Sequence, residues 1–320
     1  MRRYIILLLG LVLVIVFGCK DKEIEKFNKE VKGKWIFTTR AGEKLDLNIL
    51  KEGRLIKIED IDLISPRWSP DGRYIAVTGQ GYIYIYTDEG ELAKKIKIEI
   101  GKAIRIFLLE LIWLDNDRII YAIRRANDKE YDHCDFRIVA INKDTEQIEI
   151  LYEWKDQHGG LSIDDLELSP NRKKMVFYMD KKIHVLDIPN RRLKKLELGG
   201  GATFLDNENI LIDGNFRADG SQINDAFGQI RRYNLNTDKI EEIIEEETRV
   251  SGFVRLSPDK KYFYYLRSGV NGGTRIMMHK IGQRRVETEI PVTYSVEYAR
   301  GKYTEDRMPD LWMPESRIEE

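Results

Sequence analysis

The sequence predicts an all-β protein of short antiparallel strands, and three observations carry that expectation. A turn signature recurs at Ser69-Pro70-Asp71, Ser169-Pro170-Asn171 and Ser257-Pro258-Asp259, and a second one at Leu114-Asp115-Asn116 and Leu205-Asp206-Asn207. Taking Trp68, Trp113, Leu168, Phe204 and Leu256 as equivalent points gives steps of 45, 55, 36 and 52 residues, an average of 47. That period holds four short strands with their turns and leaves little room for helices. Between the turns, apolar residues alternate with a period of two, as in Tyr82-Ile83-Tyr84-Ile85-Tyr86, the signature of half-buried strands.

The elements follow in order. Residues 34–39, 45–50 and 54–59 read as three strands without a preceding Ser-Pro-Asp strand. The first full repeat runs from Pro66 through the turn to strands at 73–77, 82–86 and 94–100. The second starts at Ile112 and continues with strands at 119–123, 136–142 and 147–152; three more begin at Leu168, Phe204 and Leu256. Pro suits the first corner of a type I turn, Asp and Asn tolerate the next positions, and Gly relieves the exit. One such turn would fit any all-β chain, but five in phase with the strand pattern define a repeat. The three N-terminal strands lack a fourth, and the β-rich segment 291–298 is expected to supply it and tie the chain's ends together. Residues 299–320, with Pro309, Pro314 and scattered charges, read as a tail packed outside or partly disordered.

Trp68-Ser69-Pro70-Asp71-Gly72, then Arg73-Tyr74-Ile75-Ala76 and Ile83-Tyr84-Ile85-Tyr86, resemble the repeat of TolB-type β-propellers, which also occurs in the propellers of the dipeptidyl peptidase IV and prolyl oligopeptidase families. The resemblance implies a β-propeller of four-stranded antiparallel blades over residues 33–298; the five repeats and the N-terminal remnant closed by 291–298 make it six-bladed, and an N-terminal signal helix is expected before it. Radial repetition leaves only short, protected strand edges, so such sequences close into rings. It further implies a protein-protein binding or scaffolding role in a cell envelope, and carries no particular partner with it.

The N-terminus has the layout of an export signal. Arg2 and Arg3 precede an apolar run over residues 4–17, and Gly18 and Cys19 follow. As a helix, residues 4–18 reach about 22 Å, short of the roughly 30 Å hydrocarbon core. Val16-Phe17-Gly18-Cys19 resembles a bacterial lipobox, with Phe17 where a small residue is usual. The resemblance implies removal of residues 1–18 as a signal peptide and acylation of Cys19, leaving 19–32 as lipidated cysteine and linker. An uncleaved anchor or an ordinary secretory signal are the alternative readings. Two or more acyl chains anchor durably where one binds marginally.

Composition narrows the function. The chain has 320 residues, 42% hydrophobic and 33% charged, with 53 Lys plus Arg against 54 Asp plus Glu and a net charge of -1. The two signs are interleaved, so nucleic acid is not an expected partner. Two cysteines give neither a disulfide framework nor a four-cysteine zinc site, and Cys134 reads as a solitary buried thiol. There is no Gly-x-Ser-x-Gly elbow, Walker loop or His-Glu-x-x-His, so neither catalytic residues, a metal nor a cofactor is expected. His184 and His279 fall in strand patterns and read as structural.

Propeller geometry places long insertions on one face, where binding usually resides. These are residues 124–135, 213–228 and 267–274. The candidate ligand or partner face therefore comprises Asp132, His133, His158, Phe216, Arg217, Asp219, Asp225 and Phe227. Asp164 with Asp165, and Asp60 with Asp62, are further carboxylates near the central mouth, with exposed turn acids as the plainer reading. The chain is thus expected to be a membrane-anchored extracytoplasmic lipoprotein with an envelope protein partner, on the periplasmic or cell-surface side. An envelope hydrolase or lyase, or a small-molecule or glycan sensor using the central channel, are the alternatives.

Overall fold

The computed structural model describes residues 34–41, 44–51, 54–58, 64–79, 81–98, 105–126, 133–158, 163–213, 230–242, 250–257, 261–268, 274–281, 287–289 and 310–312. They form a β-propeller. The chain begins with β1 (Lys34–Ala41), β2 (Lys44–Lys51) and β3 (Arg54–Ile58). The first blade is β4 (Ile64–Trp68), β5 (Tyr74–Gly79), β6 (Tyr82–Thr87) and β7 (Leu92–Lys97); the second is β8 (Arg105–Trp113), β9 (Arg118–Ala126), β10 (His133–Asn142) and β11 (Ile148–His158). The third is β12 (Ile163–Leu168), β13 (Lys174–Met179), β14 (Lys182–Asp187) and β15 (Arg192–Lys195); the fourth is β16 (Ala202–Phe204), β17 (Asn209–Asp213), β18 (Ile230–Asn234) and β19 (Ile240–Glu242). The fifth is β20 (Val250–Leu256), β21 (Tyr262–Ser268), β22 (Thr274–Lys280) and β23 (Glu287–Glu289), and β24 (Asp310–Trp312) ends the series.

The expected fold class, six four-stranded blades after a signal helix, is corrected. Five blades consist of four consecutive antiparallel strands, while the remaining four-stranded sheet is a composite in the order β24-β1-β2-β3. No helix occurs among the described residues, and residues 1–33 lie outside them. The strand on the inner edge of β1 is Asp310–Trp312, with Lys34 opposite Trp312 and Ile36 opposite Asp310. It was expected to be 291–298, a segment that also lies outside the described residues. Part of the supposed tail is therefore built into a sheet.

The two turn signatures work by different chemistry. In the Ser-Pro turns the serine does two jobs: Ser69 N donates to Tyr74 O at 2.8 Å, and its Oγ accepts from Tyr74 N at 2.9 Å. Ser169 with Lys174 and Ser257 with Tyr262 repeat this pattern. In the Leu-Asp-Asn turns the aspartate caps the chain instead: Asp115 Oδ1 accepts from Asp117 N and Arg118 N at 2.9 and 2.8 Å, and Asp206 Oδ1 from Glu208 N and Asn209 N at 2.7 and 2.8 Å. The asparagine that follows then reaches back to the preceding blade. Asn116 Oδ1 accepts from Asp71 N at 3.1 Å, and Asn207 Oδ1 from Asn171 N at 2.9 Å. Around the ring the turn types alternate, so unlike neighbours latch together.

Neighbouring blades pack face to face, and a separate apolar cluster fills each described joint. Ile36, Leu47 and Ile49 of the composite sheet meet Trp68, Ile75, Val77 and Tyr86 of the first blade. The later joints are filled by Ile83 and Ile96 with Trp113 and Tyr121, by Phe136 and Ile138 with Met175 and Phe177, by Val176 and Val185 with Phe204 and Ile210, and by Leu211 and Ile230 with Phe263 and Tyr265. The outer strands are different. Lys-rich β7 and β15 are largely exposed, and such charge blunts an open strand edge.

Ion pairs reinforce these joints at the rim. Arg191 reaches Glu149 at 3.0 Å, Lys194 reaches Asp238 at 2.7 Å, and Lys34 and Lys51 of the composite sheet both reach Asp88 of the first blade, at 2.6 and 2.7 Å. At Asp88 burial pushes the carboxyl up, but the hydrogen bonds from Lys34 and Lys51 outweigh it and hold it below the usual carboxylate range. A depressed folded value stabilises above the ordinary carboxylate range, and that stability is lost as pH falls through the depressed value. Asp88→Asn is therefore expected to cost about 1 kcal/mol at neutral pH, with the deficit vanishing in acid. Melting curves across that range check it; a deficit independent of pH would refute the assignment.

Candidate functional site in the channel

The first strands of successive blades, β4, β8, β12, β16 and β20, pack against one another in turn and surround the ring's centre. Four of them turn a charged side chain inward: Arg67, Glu110, Glu167 and Arg255. Arg67 Nη2 donates to Glu110 Oε1 at 2.7 Å and lies 3.8 Å from Glu167 Oε1. Arg255 completes the quartet, with Nη1 at 3.3 Å from Glu167 Oε1 and Nη2 at 3.8 Å from Glu110 Oε1. Leu166 N donates to Glu110 Oε2 at 3.3 Å, and Trp113 Nε1 donates to Arg67 O at 3.0 Å. The sums of charge balance, two against two.

Burial is uneven. The side chains of Arg67, Glu110 and Arg255 are 4%, 7% and 6% exposed, while that of Glu167 is 19% exposed, so Glu167 is the member that solvent reaches. Local backbone geometry brings the four together. Each follows an irregularity in the pairing of its strand: between Ile64 and Arg67, Leu108 and Glu110, Asp164 and Glu167, and Gly252 and Arg255. A bulge bends a strand and re-aims the side chain after it. The regular pairing of β16 with β17 carries Thr203 at the matching position instead.

Of the sequence-predicted face, His133 and His158 are brought together as directly opposed positions of β10 and β11. Asp132, Phe216, Arg217, Asp219, Asp225 and Phe227 lie outside the described residues, as does Cys19. Asp165 sits in the irregular part of β12 with φ of 58°, and Asp164 is opposite Tyr178; Asp60 and Asp62 fall outside. His184 and His279 are buried and stack on Phe177 and Phe263, with centroids 5.5 and 4.9 Å apart. Burial lowers the His184 pKa, against the hydrogen bond to the Lys182 carbonyl. Cys134 is fully buried in the apolar cluster between the second and third blades. Among the described residues, no group of three or more His, Cys, Asp or Glu is arranged to hold a metal ion.

Sequence reasoning missed the quartet. A signal was available: Arg67, Glu167 and Arg255 each stand immediately before the equivalent residues Trp68, Leu168 and Leu256. A charge recurring at one motif position on a strand buried on both sides needs partners of opposite sign. Glu110 was harder to see, because it stands three residues before Trp113 and so falls outside the recurring motif position.

No protein-family model matches the sequence, and no curated protein matches it. Solved structures do match. TolB from Acinetobacter baumannii is 15% identical with a TM-score of 0.56, covering 88% of this chain and 67% of its own. A protein of unknown function from Bacteroides caccae is 10% identical with a TM-score of 0.55, covering 88% and 98%. At these identities the likeness is one of fold: this is a TolB-like β-propeller.

Proposed function

We propose that this propeller is a protein-binding module, anchored by lipid on Cys19 to a membrane outside the cytoplasm. The observation that carries the reading is the combination of a TolB-like propeller with an apolar run ending in Gly18-Cys19. The channel chemistry supports a binding role over a catalytic one. Its centre is filled by two arginines and two glutamates engaged with one another, and catalysis at this level would have to break that arrangement. The binding surface in this reading is the end of the ring where β17 leads on to β18, and the sequence of residues 213–228 between them contains aromatic, charged and amide groups.

Cys19→Ser separates this reading from its rivals. In the native cell, the parent chain is expected in the membrane fraction, with residues 1–18 missing and acyl mass added; the variant is expected to leave that fraction and lack the added mass. Intact-mass measurement and fractionation check it, and a variant still bound to membrane would overturn the anchor. Crosslinking of the parent chain followed by mass spectrometry is expected to recover a reproducible protein neighbour. Repeated recovery of the chain alone would overturn the binding-module half.

A further inference from the structure

The joint between the fourth and fifth blades differs from the others in its filling. Part of it is apolar, where Leu211 and Ile230 meet Phe263 and Tyr265. Nearer the turns and the outer edge, the same face of the fourth blade is polar. Arg232 stands opposite Leu211, Asn234 opposite Asn209 and Glu241 opposite Arg232, and directly opposed residues share a face. In the first and third blades the position of Arg232 is taken by Ile85 and Val185, each buried in the apolar filling of its joint. With the arginine comes a hollow of about 240 Å³, lined among the described residues by Asn209, Arg232, Asn234, Thr237, Lys239 and Glu241. On the facing side of the joint, His279 lies opposite Phe263 and stacks on its ring, with centroids 4.9 Å apart. It is 4% exposed, and its Nδ1 has no hydrogen-bond partner. A buried polar nitrogen left in that state is costly until another group meets it.

We propose that this hollow is a binding site for a small neutral polyhydroxylated molecule, of the size of a single sugar ring, held between Arg232 and His279. The chemistry of the wall selects that class. Arg232 and Glu241 form an ion pair, and Asn234 Nδ2 donates to Asn209 Oδ1 at 3.0 Å, so donors and acceptors sit side by side. A hydroxyl group donates and accepts at once and matches such neighbours. An anion would have to displace Glu241 from Arg232, and an apolar ligand would meet only polar residues in the described lining. The volume is that of roughly eight waters at about 30 Å³ each. It lies below the roughly 300–1,000 Å³ of drug-sized pockets, which favours one ring over a chain. The site shares no residue with the channel quartet and does not depend on the membrane anchor.

Saturation-transfer NMR on the full chain tests this, with D-glucose, D-galactose, N-acetylglucosamine and myo-inositol at millimolar concentration as probes and acetate as the anionic control. At least one neutral probe is expected to receive saturation. Arg232→Ile, which installs the residue that the first blade carries at this position, is expected to weaken its binding at least about tenfold. The unfolding midpoint of that variant should be no lower than the parent's. His279→Phe keeps an aromatic ring beside Phe263 but removes the nitrogen, and is expected to weaken binding as well. Saturation reaching none of the neutral probes would overturn the site, and so would saturation reaching acetate alone. Binding unchanged in either variant would place the probe elsewhere on the protein and overturn the proposal too.

Discussion

Glu110→Ala is expected to destabilise the fold by about 3–5 kcal/mol, because it leaves two buried guanidinium groups to share Glu167, the quartet's remaining carboxylate. Arg67 Nη2 loses its partner at 2.7 Å and Arg255 Nη2 its neighbour at 3.8 Å, while Leu166 N loses an acceptor. An arginine cannot escape by releasing its proton, so the charge stays where water is scarce. The cost belongs to breaking the pair and does not measure what the pair contributes. Buried ion pairs exchanged wholesale for apolar groups of similar volume are often neutral or stabilising. The combined variant Arg67→Met, Glu110→Leu, Glu167→Leu and Arg255→Met should therefore recover most of the loss seen in the single variant. Urea denaturation of both decides the matter; a single variant within about 0.5 kcal/mol of the parent would show that the quartet carries no strain when broken.

Trp68→Ala is expected to cost about 3–5 kcal/mol for a different reason, the cavity it leaves. The ring is 6% exposed and lies between the composite sheet and the first blade, among Ile36, Leu47, Ile49, Ile75 and Val77, with the Lys34 ammonium 5.6 Å from its centroid. Rigid β-ladders on both sides prevent collapse into the hole. Trp68→Phe should recover much of the loss, since it refills most of the volume. Thermal or urea unfolding checks both, and a cost below about 1 kcal/mol for alanine would mean the joint relaxes around the gap.

These two positions also show what the sequence made legible. Trp68 announced itself, because a bulky apolar residue stands before each turn signature, at Trp68, Trp113, Leu168, Phe204 and Leu256, and marks the end of an inner strand. The strands were readable for the same reason: residues 82–86 alternate, and the observed strand is Tyr82–Thr87 with alternate residues buried along much of its length. The quartet was not readable, since its meaning depends on four strands meeting across a ring, a relation between residues as far apart as Arg67 and Arg255. Nor was the closing strand. Asp310–Trp312 is too short to show a period of two, and its flanking prolines and charges favoured a tail, whereas Val292-Thr293-Tyr294 offered the stronger β-forming composition. Three residues pair with β1 because an existing edge templates them; propensity had little say.

The alternation of Ser-Pro and Leu-Asp-Asn turns sets a rule of parity for this architecture. Each asparagine latch needs an unlike neighbour, as Asn116 needs the turn at Asp71 and Asn207 the turn at Asn171. Five continuous blades start and finish on the same type, with Ser69 in the first and Ser257 in the fifth. Two like turns side by side would leave a latch without its acceptor. The composite sheet resolves the mismatch, because its inner strand and the next one come from opposite ends of the chain and no turn joins them. Inserting one blade between two continuous blades would place like beside like; inserting two would preserve the pattern, so internal lengthening of such a chain is compatible with its joints in steps of two.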